Sequence, residues 1–166
     1  MPVDKLKILF VCLGNICRSP AGQGVMQRLV EQRGLESRFE IDSAGTYSGH
    51  QGQLPDPRMR RHASRRGYNL THRARPITSD DFEHFDIIVA MDESNRRNLM
   101  QLAASPEQQA KIVMLGHYIV KLRTYYDYVP DPYYEGAEGF ELALDLLEDS
   151  CENLLNDIIN NKLQNQ

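Results

Sequence analysis

The run Val11-Cys12-Leu13-Gly14-Asn15-Ile16-Cys17-Arg18-Ser19-Pro20 concentrates reactive side chains in a short stretch. A cysteine thiolate is a strong nucleophile. The guanidinium of Arg18, six residues on, can fold back over the same centre. Its planar fork matches two phosphate oxygens at once, which an ammonium cannot do. Between them, Gly14 permits tight turning, and Asn15 tolerates a left-handed backbone better than most residues. Ser19 suits a helix N-cap and Pro20 the first helical position, so the loop is expected to end at a helix N-terminus. Free N–H groups and the helix dipole there favour an anion, and favour thiolate over thiol. A nucleophile, a cradle for a dianion and a bidentate clamp are what phosphoryl transfer to sulfur needs. The spacing Cys-x5-Arg is by itself a moderate signal, because a lone cysteine at a strand end is usually a buried, inert thiol.

For this chemistry the loop must lie at the carboxyl end of a strand, where ligands of open α/β sheets bind. Four short apolar runs read as buried strands: Lys5–Val11, Phe39–Ser43, Phe85–Ala90 and Lys111–Leu115. Helical stripes lie between them. Ala21, Val25 and Leu29, with Met26 and Val30, repeat at i, i+4 after the first strand. Met59–Arg66 and Ser94–Ala103 read as helices, and Phe140, Leu144, Leu147, Cys151, Leu154 and Ile158 mark a long amphipathic one. Alternating strands and helices predict a parallel sheet covered on both faces.

The 166 residues are read as one domain, 1–166, with no repeat or linker. Hydrophobic residues at 41% and charged residues at 25% make the chain globular. Nineteen basic against 23 acidic residues give a net charge of −4, which disfavours a nucleic-acid partner. Charge is unevenly placed. Seven arginines and no acid fall in residues 58–75, while ten acids and no Lys or Arg fall in residues 124–161. The plain expectation is two solvated surfaces on opposite sides of the domain. The sharper one is that the basic stretch steers an anionic substrate or partner. Three cysteines are too few for a disulfide scaffold, and no His/Cys spacing suggests a metal. No cofactor is implied. No run approaches ~18 apolar residues and no signal peptide opens the chain, so a cytoplasmic protein without a membrane partner is expected. Export by a route that needs no signal peptide stays open.

Set between a strand and a helix, the run C-L-G-N-I-C-R-S-P resembles the active-site loop of the low-molecular-weight protein tyrosine phosphatase family. The resemblance extends to Asp42–Gly45 (D-S-A-G), Met91–Asn95 (M-D-E-S-N) and Asp131–Tyr134 (D-P-Y-Y). It implies a three-layer α/β/α sandwich whose four parallel strands run in the order 2-1-3-4. It implies hydrolysis of phosphotyrosine through a phosphocysteine, with Cys12 as nucleophile and Arg18 as clamp. Leu13, Gly14, Asn15, Ile16, Cys17 and Ser19 complete the phosphate-binding loop. Read alone, an aspartate between prolines is more often a turn residue. The resemblance makes Asp131 the general acid that protonates the leaving oxygen and then activates water. It further implies that Ser43 and His72 help Ser19 to hold Asn15, and that Cys17 is a resolving thiol in a redox switch. Tyr133, Tyr134, Tyr47 and His50 are expected to wall the mouth, where mammalian relatives carry a tryptophan that this chain lacks. Gly22-Gln23 departs from the family's usual Ala-Glu, and nothing in the sequence explains the departure.

The resemblance implies phosphotyrosine proteins or aryl phosphates as substrates, inorganic phosphate or other oxyanions in the loop, and a monomer. Other readings stay open. A protein-arginine phosphatase branch carries Thr where this chain has Ile16. An arsenate reductase needs further cysteines that residues 71–110 lack. A non-catalytic phosphate-binding or redox-sensing module would not need Cys12, Arg18 and Asp131 together.

Overall fold

The computed structural model describes residues 4–163. Among these, the strands β1 (Leu6–Cys12), β2 (Phe39–Gly45), β3 (Ile87–Ala90) and β4 (Ile112–Met114) form one parallel sheet in the order 2-1-3-4. The α-helices are α1 (Arg18–Gln32), α2 (Pro57–Arg65), α3 (Ser79–His84), α4 (Glu93–Leu102), α5 (Pro106–Gln109) and α6 (Ala137–Ile158). A π-helical turn, Ile159–Leu163, continues α6.

Side chains alternate across a strand, and β1 shows what this does. Ile8, Phe10 and Cys12 join a core with Val25 and Met26 of α1 and Phe140 and Leu144 of α6. Leu9 and Val11 point the other way, to Phe82 of α3, Phe85 and Leu99 of α4. All of β1 from Ile8 to Val11 is fully buried, which is why the run carries no polar residue there. The parity places Cys12 on the α1 side, at the last position of its strand. In register, Cys12 pairs with Gly45 and Val11 with Ala90, so the carboxyl ends of β1, β2 and β3 meet. A Cβ on Gly45 would lie 2.7 Å from the Leu13 carbonyl oxygen, so only glycine lets β2 end against the loop.

Two expectations need correction. Ser19 is not an N-cap. Helix α1 begins at Arg18, with Cys17 at the cap position and no side-chain cap. The Ser19 hydroxyl is engaged by the loop instead, as described below. Helices α3 and α5, six and four residues long, have no counterpart in the apolar pattern, because fewer than two turns are too short to show a stripe. Their signals are local: a capping box between Thr78 and Asp81, and Ser105 accepting from the Gln108 N–H ahead of Pro106.

The basic and acidic stretches do not lie on opposite sides. Helix α2 packs on α6. Arg66 reaches Glu141 at 2.8 Å, Asp145 at 2.9 Å and Glu148 at 2.5 Å, and His62 pairs with Glu141 at 2.5 Å. Burial opposes the Arg66 charge, but the carboxylates outweigh it and raise its pKa. The sign of a charge run identifies a wet face. It does not say whether two wet faces adjoin.

Candidate active site

The loop after β1 is pinned by its carbonyls. Cys12 O accepts from Thr46 N–H at 3.1 Å, Leu13 O from Tyr47 N–H at 2.9 Å and Ile16 O from Asp56 N–H at 2.7 Å. In a planar trans peptide the next residue's N–H points opposite to the carbonyl. Tying these carbonyls outward therefore turns the Leu13, Gly14 and Cys17 N–H groups toward the loop's interior. Asn15 has φ 57°, the left-handed region, as its residue type predicted.

Asn15 is also the hub of a buried network. Its Nδ2 donates to Ser19 Oγ at 2.8 Å and to Ser43 Oγ at 3.0 Å. Its Oδ1 accepts from His72 Nε2 at 3.0 Å and from the Arg75 N–H at 3.0 Å. Both amide hydrogens and both acceptor sites are thus committed, which holds the strained backbone in place. Ser19, receiving from Asn15, has its own hydrogen free for Cys12 Sγ, 3.0 Å away, and the Ser19 N–H points at the same sulfur at 3.4 Å. Both Ser19 donors thus converge on the Cys12 sulfur. Burial pulls the His72 imidazole below its ordinary pKa against the opposing pull of Asp42, whose carboxylate lies 3.4 Å from Nδ1.

Two residues of the Gly22-Gln23 departure acquire a place here. Ser43 Oγ donates to Gln23 Oε1 at 2.6 Å, so Gln23 ends the chain of bonds that begins at Cys12. A Cβ on Gly22 would come within 3.0 Å of the Phe10 ring and 3.1 Å of the Met91 methyl, so glycine lets α1 lie close on the sheet.

Arg18 is 3% exposed, and its guanidinium is hydrogen-bonded through Nη1. Nη1 donates to Asp92 Oδ2 at 2.6 Å and to the Val129 carbonyl at 3.0 Å. Nη2 lies 3.7 Å from Asp131 Oδ2. Burial opposes its charge, but Cys12, Asp92 and Asp131 outweigh burial and raise its pKa. Asp92 stands two residues beyond the end of β3, at the N-cap of α4, and its residue type alone does not assign it this task. Asp131 divides its oxygens. Oδ1 accepts from the Tyr133 N–H at 3.0 Å, the turn role its flanking prolines suggested, while Oδ2 faces Arg18. The loop that carries it is anchored by Val129 N–H to Met91 O at 2.9 Å.

Cys12, Leu13, Gly14, Ile16, Cys17 and Arg18 line one cleft of about 220 Å³, together with Tyr47, His50, Asp131, Tyr133 and Tyr134. Tyr47 and His50 meet edge to face on one wall, and Tyr133 and Tyr134 on the other. Tyr133 is braced from behind by Arg58, which covers its ring and donates to its carbonyl at 2.9 Å. Cys17 is buried at 4%, and burial together with Asp56 pushes its thiol pKa far up. Asn15, Ser19, Ser43 and His72 stand behind the cleft and do not line it. Among the described residues no group of three or more His, Cys, Asp or Glu side chains could hold a metal ion. The arrangement can therefore place a thiolate, a fork of donors and a carboxyl group around one tetrahedral anion.

Comparison with known proteins bears on the same residues. The family model described as low molecular weight phosphotyrosine protein phosphatase matches residues 7–165. A Synechocystis relative is 47% identical over 150 residues, covering 90% of this chain and 94% of its own length. The low molecular weight phosphotyrosine protein phosphatase of Schizosaccharomyces pombe is 41% identical over 158 residues, covering 92% of this chain and 97% of its own. The crystal structure of the protein tyrosine phosphatase from Entamoeba histolytica, with Hepes in its active site, superposes with a TM-score of 0.91. It is 42% identical and covers 95% of this chain and 99% of that one.

Proposed function

Since this chain belongs to the low molecular weight phosphotyrosine protein phosphatase family, we propose that Cys12, Arg18 and Asp131 divide the hydrolysis of phosphotyrosine between them. The thiolate of Cys12 attacks phosphorus in line with the tyrosyl oxygen. The S–P bond forms as the P–O bond breaks, and Asp131 delivers its proton to the departing phenolic oxygen. Arg18 and the inward N–H groups hold the equatorial oxygens, whose charge they meet most closely in the transition state. In the second half, the Asp131 carboxylate takes a proton from water, which attacks phosphorus. The P–S bond breaks and returns the thiolate and inorganic phosphate. The observation that carries the reading is that all three groups line one cleft, with two Ser19 donors on the Cys12 sulfur.

Phosphotyrosine substrates fit walls of Tyr47, His50, Tyr133 and Tyr134, since a flat ring packs well against aromatic side chains. Ile16 lines the cleft and offers no polar group to a phosphorylated guanidinium, which favours phosphotyrosine over phosphoarginine. The same cleft would accept inorganic phosphate or another oxyanion. Every group invoked comes from one chain and one domain, so a monomer suffices. Three free cysteines fit a reducing compartment such as the cytoplasm. There peroxide would meet Cys12 first, and Cys17 is the candidate partner for a reversible disulfide, once the loop moves to expose it. Among the described residues, no helix is long and apolar enough to cross a membrane.

Side-by-side hydrolysis of phosphotyrosine, phosphoserine and phosphoarginine peptides tests the reading, with Cys12→Ser as control. Phosphotyrosine should dominate, and Cys12→Ser should bind phosphate yet show no turnover. Turnover by Cys12→Ser, or a preference for phosphoarginine, would overturn it.

A further inference from the structure

Five of the seven arginines of residues 58–75, namely Arg58, Arg60, Arg61, Arg66 and Arg75, separate by what they touch. Arg58 pairs with Asp56, Arg66 with the acids of α6, and Arg75 with Asp42 and Asp81. Arg60 ties only its Nε to the Pro55 carbonyl, at 3.0 Å. Arg61 is exposed and makes no hydrogen bond or ion pair among the described residues. Helical spacing explains the division. Met59, His62 and Ala63 are the buried face of α2, turned to the core and α6. Pro57, Arg60, Arg61 and Ser64 stand at i, i+3, i+4 and i+7, a second face directed away from those acids.

That second face is one wall of a groove of about 440 Å³, whose other wall is the segment 68–71. Arg60, Arg61, Ser64 and Thr71 supply donors to it, Leu54 and Leu70 supply apolar surface, and among the described residues no carboxylate lines it. In a chain with net charge −4, a groove with two guanidiniums and no acid is a local reversal of sign. The groove also lies near the catalytic cleft. Leu54 follows the turn in which Gln53 N–H bonds His50 O at 3.0 Å, and the His50 ring lines the cleft. Asp56, between the two, is bonded to Ile16 of the phosphate-binding loop. The four steps of chain from His50 to Leu54 span at most about 14 Å.

We propose that this groove receives an acidic segment of the phosphoprotein whose phosphotyrosine occupies the Cys12 loop. The inference rests on the phosphatase reading above and adds a substrate class to it. An extended substrate advances about 3.3 Å per residue, so a reach of at most about 14 Å brings the near edge of the groove within about four positions of the residue at the cleft mouth. Each exposed charge pair changes affinity by about 1.4- to 5-fold, and two pairs together by about 2- to 25-fold.

The test uses phosphotyrosine peptides identical except for Glu, Gln or Lys at those positions, together with p-nitrophenyl phosphate, which has no flank. The expected kcat/KM for the Glu peptide exceeds that for Gln by about 5-fold at low salt, falls to parity at high salt, and is lowest for Lys. Arg61→Glu, which breaks no contact, should reverse the Glu-over-Lys order while leaving p-nitrophenyl phosphate turnover unchanged. Arg60→Gln should weaken the preference. Equal kcat/KM for all three peptides, or a Glu preference that survives Arg61→Glu, would overturn the proposal. Failure to hydrolyse p-nitrophenyl phosphate and every peptide would overturn the phosphatase reading instead. The groove is then judged by NMR titration with the unphosphorylated Glu peptide. Shifts at 60–71 that vanish in Arg61→Glu support it, and their absence overturns it.

Discussion

Replacing Asp92 with asparagine separates two tasks that one carboxylate performs. Its Oδ1 caps α4, accepting from the Asn95 N–H at 2.8 Å, and its Oδ2 holds Arg18 Nη1 at 2.6 Å. Asparagine keeps an oxygen for the cap and loses the charge, whereas alanine loses both. A hydrogen bond between charged groups contributes about 1.5–3 kcal/mol. Arg18 is 3% exposed and Asp92 24%, so water replaces little of what the guanidinium loses, which places Asp92→Asn at about 2–3 kcal/mol. Loss of the cap adds about 1 kcal/mol for Asp92→Ala. At about 2–4 °C per kcal/mol, the melting temperature should fall about 4–12 °C for Asn and further for Ala. The released guanidinium then has one strong acceptor left to gain, an oxyanion in the loop. Phosphate should therefore raise the melting temperature of Asp92→Asn more than that of wild type. Loss of the orienting bond should lower kcat/KM about 10- to 100-fold. Thermal melts with and without phosphate, followed by phosphotyrosine kinetics, measure each part. An Asp92→Asn protein as stable as wild type, with the same response to phosphate, would refute the claim that Asp92 holds Arg18.

Asp131→Asn should lower the rate for phosphotyrosine by about 10²- to 10⁴-fold, and less for p-nitrophenyl phosphate, whose leaving group needs less protonation. Equal losses would leave Asp131 only its bond to the Tyr133 N–H. Gln23→Leu leaves the Ser43 hydroxyl without its acceptor and should cost about 1–3 kcal/mol of stability, while Gln23→Glu retains the bond. Because both residues belong to one chain of bonds, Gln23→Leu and Ser43→Ala should be non-additive in kcat/KM, and strict additivity would disconnect Gln23 from the cleft. Arg75→Met addresses pH. Burial pushes Asp81 up, but Arg75 and the Thr78 donors outweigh it and hold its folded pKa below the usual carboxylate range. The folded value lies below the unfolded one. The resulting stability is therefore complete above the unfolded pKa of about 3.9 and is lost as pH falls through the folded value. Acid unfolding curves should be shallower for Arg75→Met below about pH 4, and identical slopes would exclude Asp81 as their source.

The nucleophile, the clamp and their loop were legible in the residues themselves, because Cys12 to Pro20 are contiguous and their chemistry depends on local geometry. The left-handed Asn15 followed from residue type, and the parallel sheet from short apolar runs alternating with helical stripes. The strand order 2-1-3-4 and the pairing of Asp131 with that loop came from family resemblance, since spacing says nothing about which distant segments meet. What remained was decided by tertiary contact. Asp92, Gln23 and the Arg75 N–H carry no distinguishing residue type, and they matter because β1, β2 and β3 end side by side. Ser19 has the residue type of a cap, yet its hydroxyl lies between Asn15 and Cys12, where two buried polar partners compete successfully with a helix terminus. The arginines of 58–75 look alike in the chain. Packing of α2 on α6 neutralises one face and leaves Arg60 and Arg61 facing an acid-free groove, because a helix sends side chains three and four apart to one side and their neighbours to the other.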